Sequence, residues 1–593
     1  MDVYDVNEDL IKTLVKNKLI TICSKQFKTF GLNHEKVNYV LSLLEKFEQF
    51  PKLELKIEMR IAKSNEKSTQ FRKDGNKYFS LNNKDYFKAL NLYNKSICFA
   101  EVGSENLSIG YANRSAILFE WKLYKECLDN IKLAKENNYP ERLMPKLEKR
   151  EKECLQLLHT QKIPEDYSFS LSYERHPEVP TISNCVEMKY TKELGRHICA
   201  KKDLKPGDIV AIEEPFCSVL LPHTKYIRCA NCKRENYLTL IPCPNCTSIM
   251  FCSTKCLEEG REKFHKIECP IIDFLLNLFN KIHHIALRVC LEAMSLFNTT
   301  DEFIAFCNDP KNENQNAFTL DYENFSRKEN YRAIHGLVTN QEQRAVDDLF
   351  QRAVICSVLV KYLFSKTPLA DILTDDGQRN FFIDLLFRHL QTSPSNMHSV
   401  DLIEQPQEEK EDTCFASAAY AFCSLINHSC IPNSVRFYKG TTAHLVILTP
   451  IPENAPKKIR QQNLKLQYLF ECRCNACIYD YPTFFELPFP QSVPNVVEEI
   501  DIGQLKAFSR EFALENYKKY SDFLQEYTKF NPCYQISAAE ESLKMALNIL
   551  ANNVPLKHAQ SLSNFLINGR SNLTFYVNIF AGCFNEFLKI RFV

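Results

Sequence analysis

Glycine is scarce in this chain: only 13 of its 593 residues are glycine. Because glycine is the residue that adopts unusual backbone conformations most freely, each of these few positions is a candidate for a backbone constraint. Net charge is nearly absent as well, since 74 Lys and Arg residues face 73 Asp and Glu residues. The charge balance gives no electrostatic argument for nucleic acid or an anionic membrane as the main partner.

Long apolar runs are also missing. The stretch "VICSVLVKYLF" (354–364) is interrupted by Lys361 and is shorter than the roughly 18 residues of a membrane span. The first residues, "MDVYDVNEDL", are acidic where a secretory signal is basic. We therefore expect a soluble protein of the cytoplasm and nucleus that does not bind a membrane. In such a reducing compartment the 25 cysteines favour zinc ligation over disulfides.

The first 160 residues show apolar residues at helical spacing, and the length of the chain predicts several domains. Two stretches, "FRKDGNKYFSLNNKDYFKALNLYNKSI" and "YANRSAILFEWKLYKECLDNIKLA", each have the pattern of a helix-turn-helix repeat. In the second, Tyr124, Cys127, Ile131 and Ala134 fall at the packing positions of a tetratricopeptide (TPR) repeat. The turn of the first is about two residues longer than the template. The alternative is a set of unrelated amphipathic helices.

The repeat has a possible binding face. It resembles the TPR proteins that hold the C-terminal carboxylates of chaperones through basic and amide side chains. That resemblance implies a peptide site made by Arg72, Asn76, Asn113, Lys146 and Arg150. The competing hypothesis is that these are solvated polar groups on a helix face.

Closely spaced ligand residues fill the segment "CANCKRENYLTLIPCPNCTSIMFCSTKCLEEGREKFHKIEC" (229–269). Its seven thiols and one imidazole are enough for two tetrahedral zinc sites. The spacing resembles the MYND zinc finger. The resemblance implies interleaved ligand sets, with Cys229, Cys232, Cys252 and Cys256 on one ion and Cys243, Cys246, His265 and Cys269 on the other. Closed four-ligand sites of this kind leave no position for a reacting water, which favours peptide binding, here of a Pro-rich peptide, over catalysis.

A second cluster, "CRCNAC", contains Cys472, Cys474 and Cys477. Three ligands leave a tetrahedral zinc one short. Cys430, in the stretch "LINHSCIPNSV", is the candidate for the fourth.

Together these motifs resemble the SET and MYND domain family of lysine methyltransferases, in its TPR-bearing form. "LGRHICAKKDLKPGDIVAIEEPF" resembles the start of a SET domain, with Pro206, Gly207 and Asp208 turning between two short strands, and "NHSCIPN" is the most specific motif. The implied fold is multidomain α+β and mostly helical, with a split SET β-core interrupted by the finger. The expected segments are an N-terminal helical part (1–66), TPR-like repeats (67–160), the first SET part (180–228), the MYND finger (229–269), a helical insert (270–400), the second SET part (401–470), a post-SET zinc element (471–485) and a C-terminal helical domain (500–593). Within the insert, "DEFIAFCNDPKNENQNAF" predicts a polar break.

The resemblance also implies a cofactor, S-adenosylmethionine. Asn427 and His428 would hold its methionine and adenine parts, and Phe470 would stack on the adenine. Gly195 and Arg196 lie in the expected cofactor loop, and Asn396 matches a further contact, although an exposed loop asparagine is the ordinary alternative. Pro432 and Asn433 would fix the turn that follows Cys430.

One expected part is missing from the sequence. In the family, a catalytic tyrosine follows "NHSCxPN" on a segment that starts with Gly-Glu. Residues 453–463 contain neither glycine nor an aromatic residue. Tyr468, Tyr420 and Tyr438 do not match its position, so no catalytic residue is assigned.

Three explanations for the missing tyrosine stay open: an enzyme that tolerates the loss, an inactive scaffold that binds protein partners through its TPR and MYND parts, or a sequence that lacks one exon. The first predicts methylation of protein lysines, on histones or other proteins. Direct DNA recognition is not expected, because the cysteines match no DNA-reading finger and the charge is balanced.

Overall fold

The structure is a computed structural model. It describes residues 2–552 apart from 55–60, 81–84, 162–166, 193, 234–237, 313, 402–413, 431, 449–460, 463, 466–469, 482–485 and 498–509. Most of the described residues are helical. The α-helices of four or more residues are Val3–Lys16, Ile20–Thr29, Asn33–Lys46, Gln49–Glu54, Asn65–Ser80, Tyr86–Phe99, Glu105–Glu120, Tyr124–Glu136, Met144–Leu157, Thr254–Gly260, Ile272–Leu278, Lys281–Met294, Thr300–Cys307, Arg327–His335, Val346–Lys366, Leu369–Ile372, Asp376–Asn396, Asn475–Ile478, Arg510–Tyr527 and Tyr534–Ala551.

The strands are short. They are β1 (Val186–Thr191), β2 (Gly195–Ala200), β3 (Ile209–Glu213), β4 (Cys217–Leu220), β5 (Ile241–Pro242), β6 (Met250–Phe251), β7 (Met397–Asp401), β8 (Cys414–Ala419), β9 (Ser434–Lys439) and β10 (Thr442–Ile447). This combination of many helices with small sheets confirms the predicted multidomain α+β class. Among the described residues we find no helix with the length and apolar character that crossing a bilayer requires.

The chain divides into two compact units, each built from separate stretches of sequence. Unit 1 comprises Met1–Ile163, Cys217–Pro310 and Val338–Ser393, and unit 2 comprises Pro164–Phe216, Lys311–Leu337 and Pro394–Val593. The stretch 229–269 lies within unit 1, whereas Gly195, Asn427 and the "CRCNAC" cysteines lie within unit 2.

Unit 1 contains the predicted repeats as a series of stacked helices between residues 65 and 157. Each helix packs on the next, and the first also packs on the third and the third on the fifth, as stacked repeats do. The four positions proposed for repeat packing, Tyr124, Cys127, Ile131 and Ala134, are all buried on the helix Tyr124–Glu136. Their burial favours the repeat hypothesis, and the assignment to TPR repeats stays a prediction.

A buried arginine joins these helices to the cysteine-rich segment. Arg114 is fully buried, and its Nε donates to Asn130 Oδ1 at 2.6 Å. Its Nη1 donates to Asn94 Oδ1 at 2.8 Å and to the Leu240 carbonyl at 2.9 Å. The Asn130 amide in turn donates to the Leu238 carbonyl at 2.7 Å. Because a buried polar group is costly without partners, this network fixes the loop before β5 against the repeats.

The predicted polar break within the insert is wrong over its first half. Residues 300–307 form a helix, which begins after Thr299, whose side chain accepts a hydrogen bond from the backbone N–H of Glu302. Phe303 and Cys307 are buried on one side of this helix. The cap and the apolar face outweigh the polar composition that suggested a break. The break itself begins only at Asn308.

Unit 2 contains the sheets of the expected β-core. β1 pairs with β2 in an antiparallel hairpin, and β7 pairs with β8. β10 lies between β3 and β9 in an antiparallel sheet. This sheet joins sequence before the cysteine-rich segment to sequence more than 200 residues later.

The predicted turn between two short strands is present, at Pro206–Asp208. Gly207 has φ +94°, a conformation that favours glycine. The two strands that flank it, β2 and β3, belong to different sheets. The helix Arg510–Tyr527 packs on this turn, since the Tyr517 hydroxyl donates to the Gly207 carbonyl at 2.7 Å. It also packs on Tyr534–Ala551, so the described part of the C-terminal segment is helical.

Candidate metal centres and cofactor site

The structure brings together the first predicted set of four cysteines. The thiol sulfurs of Cys229, Cys232, Cys252 and Cys256 all lie within 4.8 Å of one another. The β5–β6 hairpin places Cys252 directly after β6, and the helix Thr254–Gly260, capped by Ser253, presents Cys256. Hydrogen bonds from the thiols of Cys232 and Cys252 lower the pKa of Cys229, which favours the thiolate that a metal binds.

The second predicted set is also gathered into one cluster. The thiol sulfurs of Cys243, Cys246 and Cys269 and one ring nitrogen of His265 lie within 4.8 Å of one another, and all four residues are buried. His265 Nε2 is 3.2 Å from the Cys243 sulfur and 3.6 Å from the Cys246 sulfur. His265 is the last residue of a π-helical turn, Arg261–His265. A short helical turn, Lys266–Glu268, follows it and leads to Cys269. The ring therefore faces the cluster through a single nitrogen, as a metal ligand does.

The third cluster joins the two motifs that sequence placed far apart. Cys430 lies 3.9 Å from Cys472 and 3.6 Å from Cys477, measured between sulfurs, and Cys474 completes the set. Burial works to raise the pKa of the Cys474 thiol, but hydrogen bonds from the backbone N–H groups of Cys477 and Cys430 outweigh it and lower that pKa to about 7. A thiol with such a pKa is readily ionised near neutral pH.

The three clusters fit zinc. Zinc held by sulfur at about 2.3 Å in a tetrahedron requires sulfurs about 3.8 Å apart. The measured sulfur–sulfur distances run from 3.5 to 3.9 Å. A disulfide would need about 2.0 Å, and none of these cysteines forms one.

The predicted cofactor residues converge in unit 2. The Asn427 amide donates to the Leu194 carbonyl at 2.8 Å, which joins the β1–β2 turn to the "NHSC" motif across 233 residues. His428 lies next to Phe470, with ring centroids 6.0 Å apart, and its Nε2 is 3.3 Å from the Cys430 sulfur. The third cluster and the "NHSC" residues therefore belong to one local arrangement.

Gly195 begins β2 and has φ +62°. Apart from its two chain neighbours, no described residue places a heavy atom within 4 Å of the position that a Cβ would take there, so the backbone is open on that side. Arg196 follows it in the strand, opposite Tyr190. Both predicted residues of the cofactor loop thus lie beside the carbonyl that Asn427 contacts.

Asn396 is neither exposed nor in a loop. It is the last residue of the helix Asp376–Asn396, and it is buried. Its backbone carbonyl accepts a hydrogen bond from Ser424 Oγ at 2.8 Å. Asn396 is therefore tied to the turn that precedes Asn427, and its backbone makes that contact.

Pro432 and Asn433 follow the third cluster. The Asn433 carbonyl accepts a hydrogen bond from the Leu448 N–H at 2.9 Å, which connects the start of β9 to the end of β10. The role of Pro432 and Asn433 in fixing the turn stays a prediction. Most of the segment expected to hold the catalytic tyrosine, together with Tyr468, lies outside the described residues.

The proposed peptide face in unit 1 is only partly available. Asn76 Oδ1 accepts hydrogen bonds from the Tyr93 hydroxyl at 2.8 Å and from the Asn113 amide at 2.9 Å. Arg150 donates to Ser115 Oγ at 2.9 Å. Lys146 is exposed, and burial lowers the pKa of Arg72, which makes no ion pair among the described residues. Of the five positions, Asn76, Asn113 and Arg150 thus already make hydrogen bonds within the protein, whereas Lys146 and Arg72 are better placed to bind a peptide.

Two residues beside the "NHSC" motif in unit 2 were not predicted from the sequence. Glu213, at the end of β3, is buried and accepts hydrogen bonds from the backbone N–H groups of Phe422 and Cys423. Burial raises the pKa of Glu213, and these two bonds oppose that effect. Ser424 is the second. The period of two along β3 places Glu213 on the same face as Ile209 and Ala211, which was the available signal.

Comparison with known proteins agrees with the geometry. Residues 229–269 match the family model of the MYND finger. The chain is 26% identical over 503 residues to "Protein-lysine N-methyltransferase SMYD4" of Danio rerio, covering 71% of this chain and 66% of that protein. The chain is therefore similar over most of its length to proteins of the SET and MYND type. The predicted resemblance to this family is thereby confirmed.

Other proteins similar to this chain carry related names. It is 24% identical over 548 residues to the human protein of the same name, covering 70% of this chain and 67% of that protein. A match of 21% identity over 305 residues to "Histone-lysine N-methyltransferase ASHR1" of Arabidopsis thaliana covers 49% of this chain and 55% of that protein. The chain thus spans just under two thirds of the zebrafish relative.

Proposed function

We propose that this protein is an S-adenosylmethionine-dependent protein-lysine methyltransferase of the SET and MYND type. The hydrogen bond from Asn427 to the Leu194 carbonyl supports the proposal most directly, because it joins the two separated parts of the expected cofactor site. The names of the relatives support the same activity and favour an enzyme over an inactive scaffold.

The side chains present fit the cofactor. Asn427 and His428 are exposed, so a ligand can reach them. An amide and an imidazole can form hydrogen bonds with the polar groups of an amino acid and a nucleotide. The ring of Phe470, 37% exposed, offers a face on which adenine can stack. The open side of Gly195 leaves room for close approach of the ligand to the backbone.

When bound, S-adenosylmethionine supplies a methyl group on a sulfonium, which a neutral amine can displace. The protein must orient the substrate lysine and remove water from it, since desolvation lowers the pKa of an ammonium. Buried surroundings that would remove water from an amine lie next to the "NHSC" turn. Burial lowers the pKa of His398, whose Nε2 is 3.3 Å from Ser424 Oγ, and burial raises the pKa of Tyr420, whose ring centroid is 5.6 Å from that of His398.

The catalytic tyrosine is not assigned. Tyr420 is unsuited to the role because its hydroxyl already donates to the Thr441 carbonyl at 2.5 Å. Tyr438 is buried in β9, and burial raises its pKa. The proposal therefore depends on other groups of the site to orient the amine.

Calorimetry with S-adenosylmethionine tests cofactor binding without a substrate. The full chain should bind it, and replacing Asn427 and His428 together by alanine should abolish the heat of binding. His223→Ala, at an exposed histidine in unit 1, is the control and should bind as the wild type does. Absence of binding by the wild-type chain would refute the proposed function.

Transfer of a radiolabelled methyl group to lysine-containing proteins then separates an enzyme from a scaffold. Histones and a cell extract serve as acceptors, with label retained on lysine after acid hydrolysis. Cofactor binding without transfer to any acceptor would favour the scaffold instead.

The partners expected from sequence are part of this proposal. An acidic C-terminal peptide would be held by the repeat helices, where Arg72 carries a half-buried charge without an acidic partner in the described residues. Peptides ending in a free carboxylate should bind, the same peptides with a C-terminal amide should not, and Arg72→Glu should abolish the difference. A Pro-rich peptide would be bound by the finger, and loss of binding on zinc removal tests that assignment.

A further inference from the structure

Glu213 is a buried carboxylate in unit 2 that makes no ion pair with a lysine or arginine in the part of the chain that the structure describes. It is 5% exposed. Its Oε1 accepts the backbone N–H of Phe422 at 2.8 Å, and its Oε2 accepts the backbone N–H of Cys423 at 2.9 Å. Each carboxylate oxygen therefore has its own fixed donor in the main chain.

These donors belong to one short turn. The 3-10 turn Cys423–Leu425 lies between β8 and the "NHSC" motif, and Phe422 directly precedes it. A buried charge is stable only when hydrogen bonds compensate for the lost water, so the carboxylate and the turn depend on each other. The contact spans more than 200 residues of sequence.

The same turn is held from its other side by Ser424. Its Oγ lies 2.8 Å from the Asn396 carbonyl and 2.6 Å from the Tyr420 carbonyl. Three separate pieces of unit 2 thus converge on the turn: β3, the end of the helix Asp376–Asn396, and β8 with its continuation. Two residues after the turn comes Asn427.

We propose that Glu213 is a positioning residue for the cofactor, which orders the turn Cys423–Leu425 so that Asn427 and His428 are in place before the nucleotide binds. This inference rests on the proposed function. Glu213 itself does not touch the cofactor in this scheme; it acts through the backbone of the turn.

The physical consequence is a change in apparent affinity. A ligand binds more weakly in proportion to the fraction of molecules whose site is in the competent conformation. Losing one hydrogen bond to a buried carboxylate shifts such an equilibrium by about tenfold or more. Glu213→Gln places an NH2 group against one of the two backbone N–H groups and should weaken binding of S-adenosylmethionine by about tenfold to a hundredfold.

Two measurements on the full chain test the inference. Calorimetry gives the affinity for S-adenosylmethionine, and hydrogen exchange without cofactor gives the protection of the backbone amides at 422–428. Glu213→Gln should weaken the affinity and reduce the protection of these amides. Glu214→Gln is the matched control, because the neighbouring glutamate is exposed, and it should change neither.

Ser424→Ala provides an independent variant if Glu213→Gln does not fold, since it releases the same turn through a smaller change. It should show the same two effects. Normal protection of the turn together with wild-type affinity in a folded Glu213→Gln or Ser424→Ala chain would overturn the inference. If the wild-type chain does not bind the cofactor, the proposed function fails, and unchanged hydrogen exchange in the variants would then overturn the positioning role separately.

Discussion

Replacing Cys477 by serine should remove the zinc of the third cluster and leave the other two clusters loaded. Serine lacks the thiolate that completes the tetrahedron with Cys430, Cys472 and Cys474. The wild-type chain should contain three zinc ions and the variant two. Because Cys430 follows His428 in the "NHSC" motif, loss of this zinc should also weaken cofactor binding.

The size of the effect follows from how little else holds this region together. The apolar neighbours of the cluster are few: Leu464 and Ala476 are buried there, and Tyr481 is partly buried. Burying one leucine and an alanine contributes about 3 kcal/mol, whereas a structural zinc contributes about 10 kcal/mol or more. The metal therefore dominates, and without it Phe470 should lose its place beside His428.

Zinc is counted by mass spectrometry on protein exchanged into metal-free buffer, and cofactor affinity by calorimetry. Cys199→Ser is the control, because Cys199 lies in β2 and outside all three clusters. It should retain three zinc ions and bind normally. Three zinc ions and wild-type affinity in the Cys477→Ser chain would show that the cluster does not organise the site.

Three further changes test the fold. Gly207→Ala forces a side chain into a positive φ and against Ser521, and should destabilise the protein by about 1 to 3 kcal/mol in urea unfolding. Gly31→Ala is the control and should not destabilise it, because no described residue outside its chain neighbours lies within 4 Å of the new Cβ. Burial lowers the pKa of His444 to about 4, so the neutral ring belongs to the folded state and stability should fall as the pH drops from about 6.5 to about 4, by roughly 3 kcal/mol. His444→Phe should remove that part of the acid sensitivity, seen by comparing unfolding at about pH 7 and about pH 5; an unchanged pH dependence would contradict it. Arg114→Leu leaves two amide oxygens and a carbonyl without this donor and should cost about 3 kcal/mol by the same assay, and a stability equal to wild type would contradict the network.

The metal ligands were the easiest part of the site to predict. Zinc needs particular side chains at short, fixed spacings, and a pair such as Cys229 and Cys232 carries that information within four residues. Cys430 required more, because nothing in the spacing linked it to the cysteines at 472–477. The missing fourth ligand made Cys430 a candidate and the family resemblance supported it, and the structure places the four sulfurs within 4.8 Å of one another.

For secondary structure too, features recorded in local patterns were predicted and features that depend on distant contacts were not. The repeat helices show in the periodicity of their apolar residues, whereas the helix 300–307 was missed because its cap and its buried face are clear only when the neighbouring core is known. The strands β2 and β3 were anticipated, but their partners were not, since β3 pairs with β10 far along the chain.

By itself, the sequence determined the residues that can bind zinc, the helical character of the described stretches 65–157 and 510–551, and the family to which the motifs point. Only the tertiary structure decided that Asn427 contacts the Leu194 carbonyl, that Asn396 is buried, and that Glu213 holds the turn before the motif. The physical reason is separation along the chain. A local pattern records which side chains share a turn or a face, but a buried carboxylate finds its donors across more than 200 residues, and only the packed fold specifies that pairing.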